Sequence, residues 1–99
     1  MAIINKYRVI GGDIPADLFI ALPVTEVGIL SEIALDQLSQ CTIEIGVLKG
    51  AVGNDMFASN VGSMSYNTGI DTTGKTIWIT NLSGYARKIS CYARWTETI

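Results

Sequence analysis

The residues best placed to do chemistry in this chain are those of GIDTTGKT, Gly69 through Gly74, Lys75 and Thr76, which match the phosphate-loop pattern GxxxxGK[ST] in full. In such a loop the glycines let backbone amides wrap the phosphates, the Lys reaches the outer phosphates and the Thr holds magnesium. That geometry needs a buried strand before the loop and a helix after it, with the helix N-terminus facing the anion. Here SMSYNT precedes Gly69, and Ile77-Trp78-Ile79-Thr80, a strand pattern, follows Thr76. No βαβ unit surrounds the motif, and no aliphatic run ends in a magnesium-binding Asp. The expectation is therefore a Gly-containing turn leading into a strand, with Asp71 and the threonines bonding to nearby backbone.

Other reaction chemistries lack their residues. The chain has no histidine, which excludes Ser-His-Asp and Cys-His arrangements and most zinc sites. Cys41 and Cys91 are the only cysteines, too few for a four-sulfur metal site, and read as small buried hydrophobes without a disulfide. Glu32 and Asp36 share parity on a strand, opposite Ile33 and Leu35, and so read as a solvated face and not as a glycosidase pair. Asn81-Leu82-Ser83 has the form of a glycan acceptor, but Asn81 is expected to hold a turn. The sequence thus predicts a protein that is not an enzyme and has no cofactor and no metal.

The elements that must position any functional residue are clearer. ILSEIALDQLSQCTIEIGVL (residues 29 to 48) and TIWITNLSGYARKISCYARW (residues 76 to 95) follow one plan, an alternating strand, a short polar break with Leu-Ser and a second alternating strand. In the first, Val27, Ile29, Ile33 and Leu35 share one parity before the break at Asp36 to Gln40, and Ile43, Ile45 and Val47 share one after it. In the second, Ile77 and Ile79 precede Asn81 to Gly84, and Ile89, Cys91, Ala93 and Trp95 follow. One such unit is marginal in water, whereas two can cover each other's apolar faces. SEIALDQLS also fits a helix face, but the odd-numbered alternation from Val27 and the presence of Gly28 favour strand.

The flanking segments complete the expected layout. A first strand covers residues 2 to 10, with Ile3, Tyr7 and Val9 on one side, and GGDIPAD follows as a flexible connector. Leu18 to Leu22 form a short strand closed by Pro23. Residues 49 to 73 are rich in Gly, Asn and Ser, and short strands are expected near Met56 and at Met64 to Tyr66. The fold class is an all-β, single-domain antiparallel sandwich, jelly-roll-like, of about seven or eight strands, spanning residues 1 to 99.

Composition bears on function through its shortage of charge. Charged residues make up 16%, against about 25% in an average domain, and hydrophobic residues 48%, with a mean hydropathy of +0.35. A small protein so composed exposes apolar surface or covers it with copies of itself. No apolar run approaches the roughly 20 residues of a membrane span, and MAIINKYRVI lacks the plan of a secretory signal. The net charge of −2 argues against a general nucleic-acid binder. Its distribution is uneven, because Val9 to Leu48 contains acids without Lys or Arg, and Thr72 to Thr96 contains Lys75, Arg87, Lys88 and Arg94 without an acid. Two readings stay open: acidic and basic strands pair within one subunit, or an acidic face of one copy meets a basic face of the next.

The outward parities then supply candidate contacts. Trp78 lies opposite in parity to Ile77 and Ile79, and Tyr92 lies beside Lys88, Ser90 and Arg94, so both aromatics are expected to project outward. With Met56 and Phe57 of the 49 to 73 segment they could anchor a protein interface or stack on sugar rings.

In its order of elements the chain resembles small β-sandwich proteins encoded among phage and prophage structural genes. The likeness covers roughly residues 18 to 96: Leu22-Pro23 closing a short strand, the long strand of ILSEIALDQLSQ, the strand CTIEIGVL, a variable loop, the Gly69-Ile70 step and two terminal strands. Such proteins more often have Asn where this chain has Asp36, and residues 2 to 10 have no secure counterpart. The resemblance implies a virion protein made in the host cytoplasm, a decoration, head-completion, tail or fibre-associated domain. Its expected partners are itself, as a homo-oligomer such as a trimer, and other virion proteins, with neither nucleic acid nor membrane. The alternative is a carbohydrate-binding receptor-recognition module. Residues 1 to 10, through Ile3, Ile4, Tyr7 and Val9, are the candidate strand for exchange or pairing with a neighbouring subunit.

Overall fold

Alternation of inward aliphatic and outward polar side chains makes strands, and the computed structural model holds eight of them among the residues it describes, 2–36, 41–59 and 64–99. They are β1 (Ile3–Ile14), β2 (Phe19–Pro23), β3 (Ile29–Asp36), β4 (Cys41–Gly46), β5 (Asp55–Ser59), β6 (Met64–Asp71), β7 (Thr76–Asn81) and β8 (Arg87–Thr98). All pair antiparallel in two four-stranded sheets, in the orders β1-β8-β3-β6 and β2-β7-β4-β5. This is the expected sandwich, with jelly-roll order: β1 pairs with β8, β2 with β7, β3 with β6 and β4 with β5, like one long hairpin wrapped into two layers. The wrapping also brings β3 beside β8 and β4 beside β7.

The two strand-break-strand units therefore interlock and do not close as hairpins. β3 and β4 lie in different sheets, as do β7 and β8, and each strand of one unit pairs with a strand of the other. Parity states which side chains face inward, but a strand keeps that parity whichever neighbour it takes. Beyond Asp36, the first break falls outside the described residues.

Three expectations need correction. Val27 and Ile29 do not share the buried face of Ile33 and Leu35, because the register slips between Leu30 and Glu32 in both pairings of β3. A β-bulge inserts one residue and reverses parity on its far side, so Leu30 is buried and Ile29 exposed. Gly11 and Gly12 are not a flexible connector, since β1 continues through them to Ile14 in unbroken register with β8. Finally, β1 is not isolated within the chain, because all twelve of its residues face β8. The strand readings near Met56 and at Met64 to Tyr66 are met by β5 and β6, and SEIALD is strand.

The core lies between the sheets. Leu30, Ile33, Leu35, Ile89, Cys91, Ala93 and Trp95 of the first sheet face Cys41, Ile43, Ile45, Ile77 and Ile79 of the second, all buried. Each fully buried aliphatic side chain contributes about 1.5–3 kcal/mol. The Trp95, Thr72 and Asn81 side chains that enter this space are paired, while Arg87 Nε is buried without a hydrogen-bond partner among the described residues. The Trp95 indole Nε1 donates to Thr72 Oγ1 at 2.9 Å. Asn81 Nδ2 donates to the carbonyls of Ile14 at 3.0 Å and Tyr85 at 2.7 Å, while its Oδ1 accepts from the Ser83 amide at 2.9 Å. Asn81 thus ties the end of β1 to the β7–β8 connection, and burial denies it to a glycan. Cys41 and Cys91 are buried and free.

Gly28 admits the chain to β3. Its φ is +116°, and a Cβ there would stand 2.6 Å from the Thr96 carbonyl oxygen. Gly28→Ala is expected to destabilise the fold by about 1–3 kcal/mol or more, read as a lower urea midpoint at unchanged slope; an unshifted midpoint would contradict the close approach of β3 to β8.

Candidate functional site

The phosphate-loop motif forms a strand, a turn and a strand. Gly69 to Asp71 end β6, Asp71 Oδ1 accepts from the Thr73 hydroxyl at 2.7 Å and its amide at 3.0 Å, and the Lys75 amide donates to the Thr72 carbonyl at 2.9 Å. Those Thr73 bonds hold the Asp71 carboxyl below its ordinary range. Thr76 then opens β7, so no helix follows to face an anion.

On the outer face of the second sheet, Trp78 points away from the core as its parity predicts, yet it is only 8% exposed. Its cross-strand neighbours are Ala21 and Glu44. The connection between β4 and β5 folds back over this face through the Glu44 carboxylate, whose Oε2 accepts from the Gly50 amide at 2.7 Å and from Asn54 Nδ2 at 2.8 Å. Lys49 Nζ stands 4.0 Å from Glu44 Oε1 and 4.9 Å from the Phe19 ring, so the ammonium lies over β7, which runs between those two strands. The loop thereby covers the indole. Gly46 leaves room for Asn54, whose side chain occupies the space a Cβ would fill. The Asn54 and Gly50 bonds, then Lys49, outweigh burial and hold the Glu44 carboxyl below its ordinary value.

At the end of the sandwich where the β2–β3 connection crosses, Arg8 plays the comparable part. Its Nε donates to Glu26 Oε2 at 2.8 Å, its Nη2 pairs with Oε1 and with Thr25 Oγ1, and its Nη1 donates to the Pro23 carbonyl at 3.1 Å. The guanidinium also lies 5.8 Å from the Trp95 ring. Burial pushes the Glu26 carboxyl up, but the Arg8 bonds and local amides prevail and hold it below the ordinary value.

The outer face of the first sheet is open. β1 directs Ile3, Tyr7 and Val9 outward, at 68%, 56% and 71% exposure, while Ile10 and Ile14 face the core. Val9 stands opposite Tyr92, and Tyr7 opposite Arg94. The Tyr7 and Tyr92 rings are tilted with centroids 5.6 Å apart. Burial first, then Tyr7 and Glu32, push the Tyr92 phenol up. Arg94 Nη1 donates to Asn5 Oδ1 at 3.3 Å and Thr96 Oγ1 at 3.1 Å, and its Nε lies 3.9 Å from Glu32 Oε1. Asp13 and Lys88 stand opposite each other farther along. Acidic and basic strands therefore do meet within one chain on this face.

The structure thus divides the sequence candidates. Tyr92, Arg94 and Lys88 share the first sheet's outer face with Ile3, Tyr7 and Val9, while Trp78 and Met56 belong to the opposite face of the sandwich. Phe57 is half-buried beside the core, and its ring lies 4.8 Å from that of Tyr66, bridging β5 and β6 between the sheets. Ile4 lies on the inward parity at the extremity of β1 and is partly exposed. Sequence reasoning missed the Glu44, Asn54 and Lys49 latch, for which Gly46 beside an acidic strand was the available sign. Among the described residues no three His, Cys, Asp or Glu side chains converge to hold a metal, and no helix is long and apolar enough to cross a membrane. No protein-family model matches the chain, and no curated protein matches it either.

Glu26 and Glu44 link stability to pH. Both carboxyls lie below 4.5 in the folded chain, so the unfolded chain takes up protons first as pH falls. Their stabilisation is complete above pH of about 4.5 and is lost as pH falls through the folded values. The melting temperature should be level from pH 7 to about 5 and fall below that, with a shallower acid limb in Glu44→Gln; an acid limb of wild-type steepness in that variant would remove Glu44 from the linkage.

Proposed function

We propose that this protein is a non-enzymatic structural component of a phage particle, a decoration, head-completion or tail or fibre-associated domain that works by symmetric self-assembly. The observation that carries this reading is the open outer face of β1, where Ile3, Tyr7 and Val9 stand exposed on a chain with only 16% charged residues. Exposed apolar rows of this kind, rimmed by polar groups such as Asn5 and Arg94, mark surfaces that associate. Further exposed aliphatics at Val27, Val47, Leu48, Val52 and Ile99 offer area for other virion proteins. The jelly-roll sandwich supports the reading by analogy, since viral capsid domains use it, but so do lectins, and a fold alone names no function.

The carbohydrate-binding alternative is weakened by the same geometry. A platform built from Trp78 and Tyr92 has its two aromatics on opposite faces of the sandwich, with Trp78 nearly covered by the β4–β5 loop. Of the outer face of the first sheet, the Tyr7 and Tyr92 pair would remain for stacking.

Light scattering and sugar titration together separate the readings. The purified chain should have a mass of at least twice 10.7 kDa, and its intrinsic fluorescence should not change with millimolar simple sugars. A stable monomer whose fluorescence saturates with a sugar would replace the structural role with the lectin.

A further inference from the structure

The first and last strands leave an edge whose hydrogen-bonding groups are all of one kind of residue. Ala2 and Ile99 exchange both backbone bonds, N to O at 2.6 Å and 2.9 Å. In an antiparallel ladder such pairs alternate with pairs that exchange none. Because β1 and β8 stay in register without a slip, the even residues of β1 direct their amides and carbonyls to β8, and the odd residues direct theirs away. Among the described residues β1 is an edge strand with no neighbour on that side. Ile3, Asn5, Tyr7, Val9, Gly11 and Asp13 therefore present free amides and carbonyls along one line, and the same residues carry the exposed apolar row.

Apart from the inward charges of Lys6 and Arg8, this edge lacks the usual safeguards. Sheet edges are commonly blunted by shortness, proline or bulges. β2 and β5, the edges of the second sheet, are five residues each, and β2 ends at Pro23. β1 is twelve residues long, has no proline and has no register slip. Its inward charges are already satisfied, Arg8 by Glu26 and Lys6 by Glu97 at 3.4 Å.

We infer that the free edge of β1 pairs antiparallel with β1 of a second copy of this chain, across a twofold axis at Val9, joining two four-stranded sheets into one. This deepens the self-assembly reading and rests on it. Charge and overlap together select the register, since an axis at Val9 pairs residues 4 to 14 of β1 whereas axes farther from the middle of the strand, at Asn5, Ile10 or Gly11, pair fewer. Placing the axis at Lys6, Tyr7 or Arg8 sets Lys6 against Lys6, Lys6 against Arg8 or Arg8 against Arg8, and like charges directly opposite are unfavourable. With the axis at Val9, Lys6 meets Gly12, Arg8 meets Ile10, Ile4 meets Ile14 and Asn5 meets Asp13, with no like pair. The odd residues then form the bonded pairs, Asn5 with Asp13, Tyr7 with Gly11 and Val9 with itself, and Tyr7 and Val9 of both copies make one apolar patch on the outer face. An isologous contact of this kind closes on itself and stops growth at that edge.

The test uses the full chain. Val9→Pro removes an amide that β8 does not use, and Val9→Lys puts like charges on the axis while leaving an exposed side chain exposed. The wild type should have an even multiple of 10.7 kDa by light scattering, and both variants should fall to half that mass with the wild-type far-UV spectrum. If both keep the wild-type mass, the β1 contact is wrong while self-assembly stands. A wild type that is monomeric at hundreds of micromolar overturns both, and a threefold mass overturns the twofold axis. Register is read by mild oxidation. Val9→Cys should give a disulfide-linked dimer, because bonded pairs have Cα atoms about 5.5 Å apart. Asn5→Cys should not, because two copies of residue 5 would lie about 27 Å apart; the reverse outcome overturns the axis at Val9.

Discussion

The rest of this structure depends on the antiparallel pairing of the first twelve-residue strand with the last, from Ile3 opposite Thr98 to Ile14 opposite Arg87. That ladder joins the two ends of the chain, and the remaining strand pairs nest inside it. It makes β8 an interior strand with β1 on one side and β3 on the other, so that Cys91, Ala93 and Trp95 form the floor of the core. It also makes β1 the long outer edge. A fold held by contacts between the chain's extremes must close its largest loop before it gains the contacts that reward closure, which is costly in entropy and slow.

Two charged side chains finish what the apolar core begins. Arg8 on β1 reaches across the sandwich to Glu26, and Glu44 on β4 gathers the loop that follows it. Each carboxylate is mostly buried and accepts several directed bonds, the condition under which a charge can remain ionised away from water. Their oxygens are occupied by amides, a guanidinium and the Thr25 hydroxyl, with the Lys49 ammonium beside Glu44. What the described residues leave exposed includes one backbone edge and a row of apolar side chains on β1.

Much of the fold was legible in residue order. Ile77, Ile79, Ile89, Cys91, Ala93 and Trp95 alternate without error, and all are buried. The false phosphate loop could be rejected because Ile77 to Thr80 is strand. The site was legible only in part. Tyr92 and Arg94 were placed on an outward face, but the fate of Trp78 depended on a loop whose covering role comes from Glu44, Asn54 and Lys49 meeting across five to ten residues. Parity also failed at Ser31, where the bulge sends Leu30 inward and its predecessor out. Nothing local distinguishes Ser31 from a regular strand residue; its hydroxyl at 2.9 Å from Thr96 Oγ1 belongs to a strand that lies far along the chain.

By itself, then, the sequence determined secondary structure, the identity of most core residues and the absence of the side chains needed for common hydrolytic chemistry, because period-two patterning and residue type are local properties. Tertiary structure decided which strand lies beside which, since a strand keeps its parity with any neighbour. It decided that Trp78 is covered while Tyr7 and Val9 are bare, and that the unpaired amides of β1 fall on the residues that carry its apolar row. The last of these follows from the phase of the β1 and β8 hydrogen bonds, which no reading of either strand alone contains.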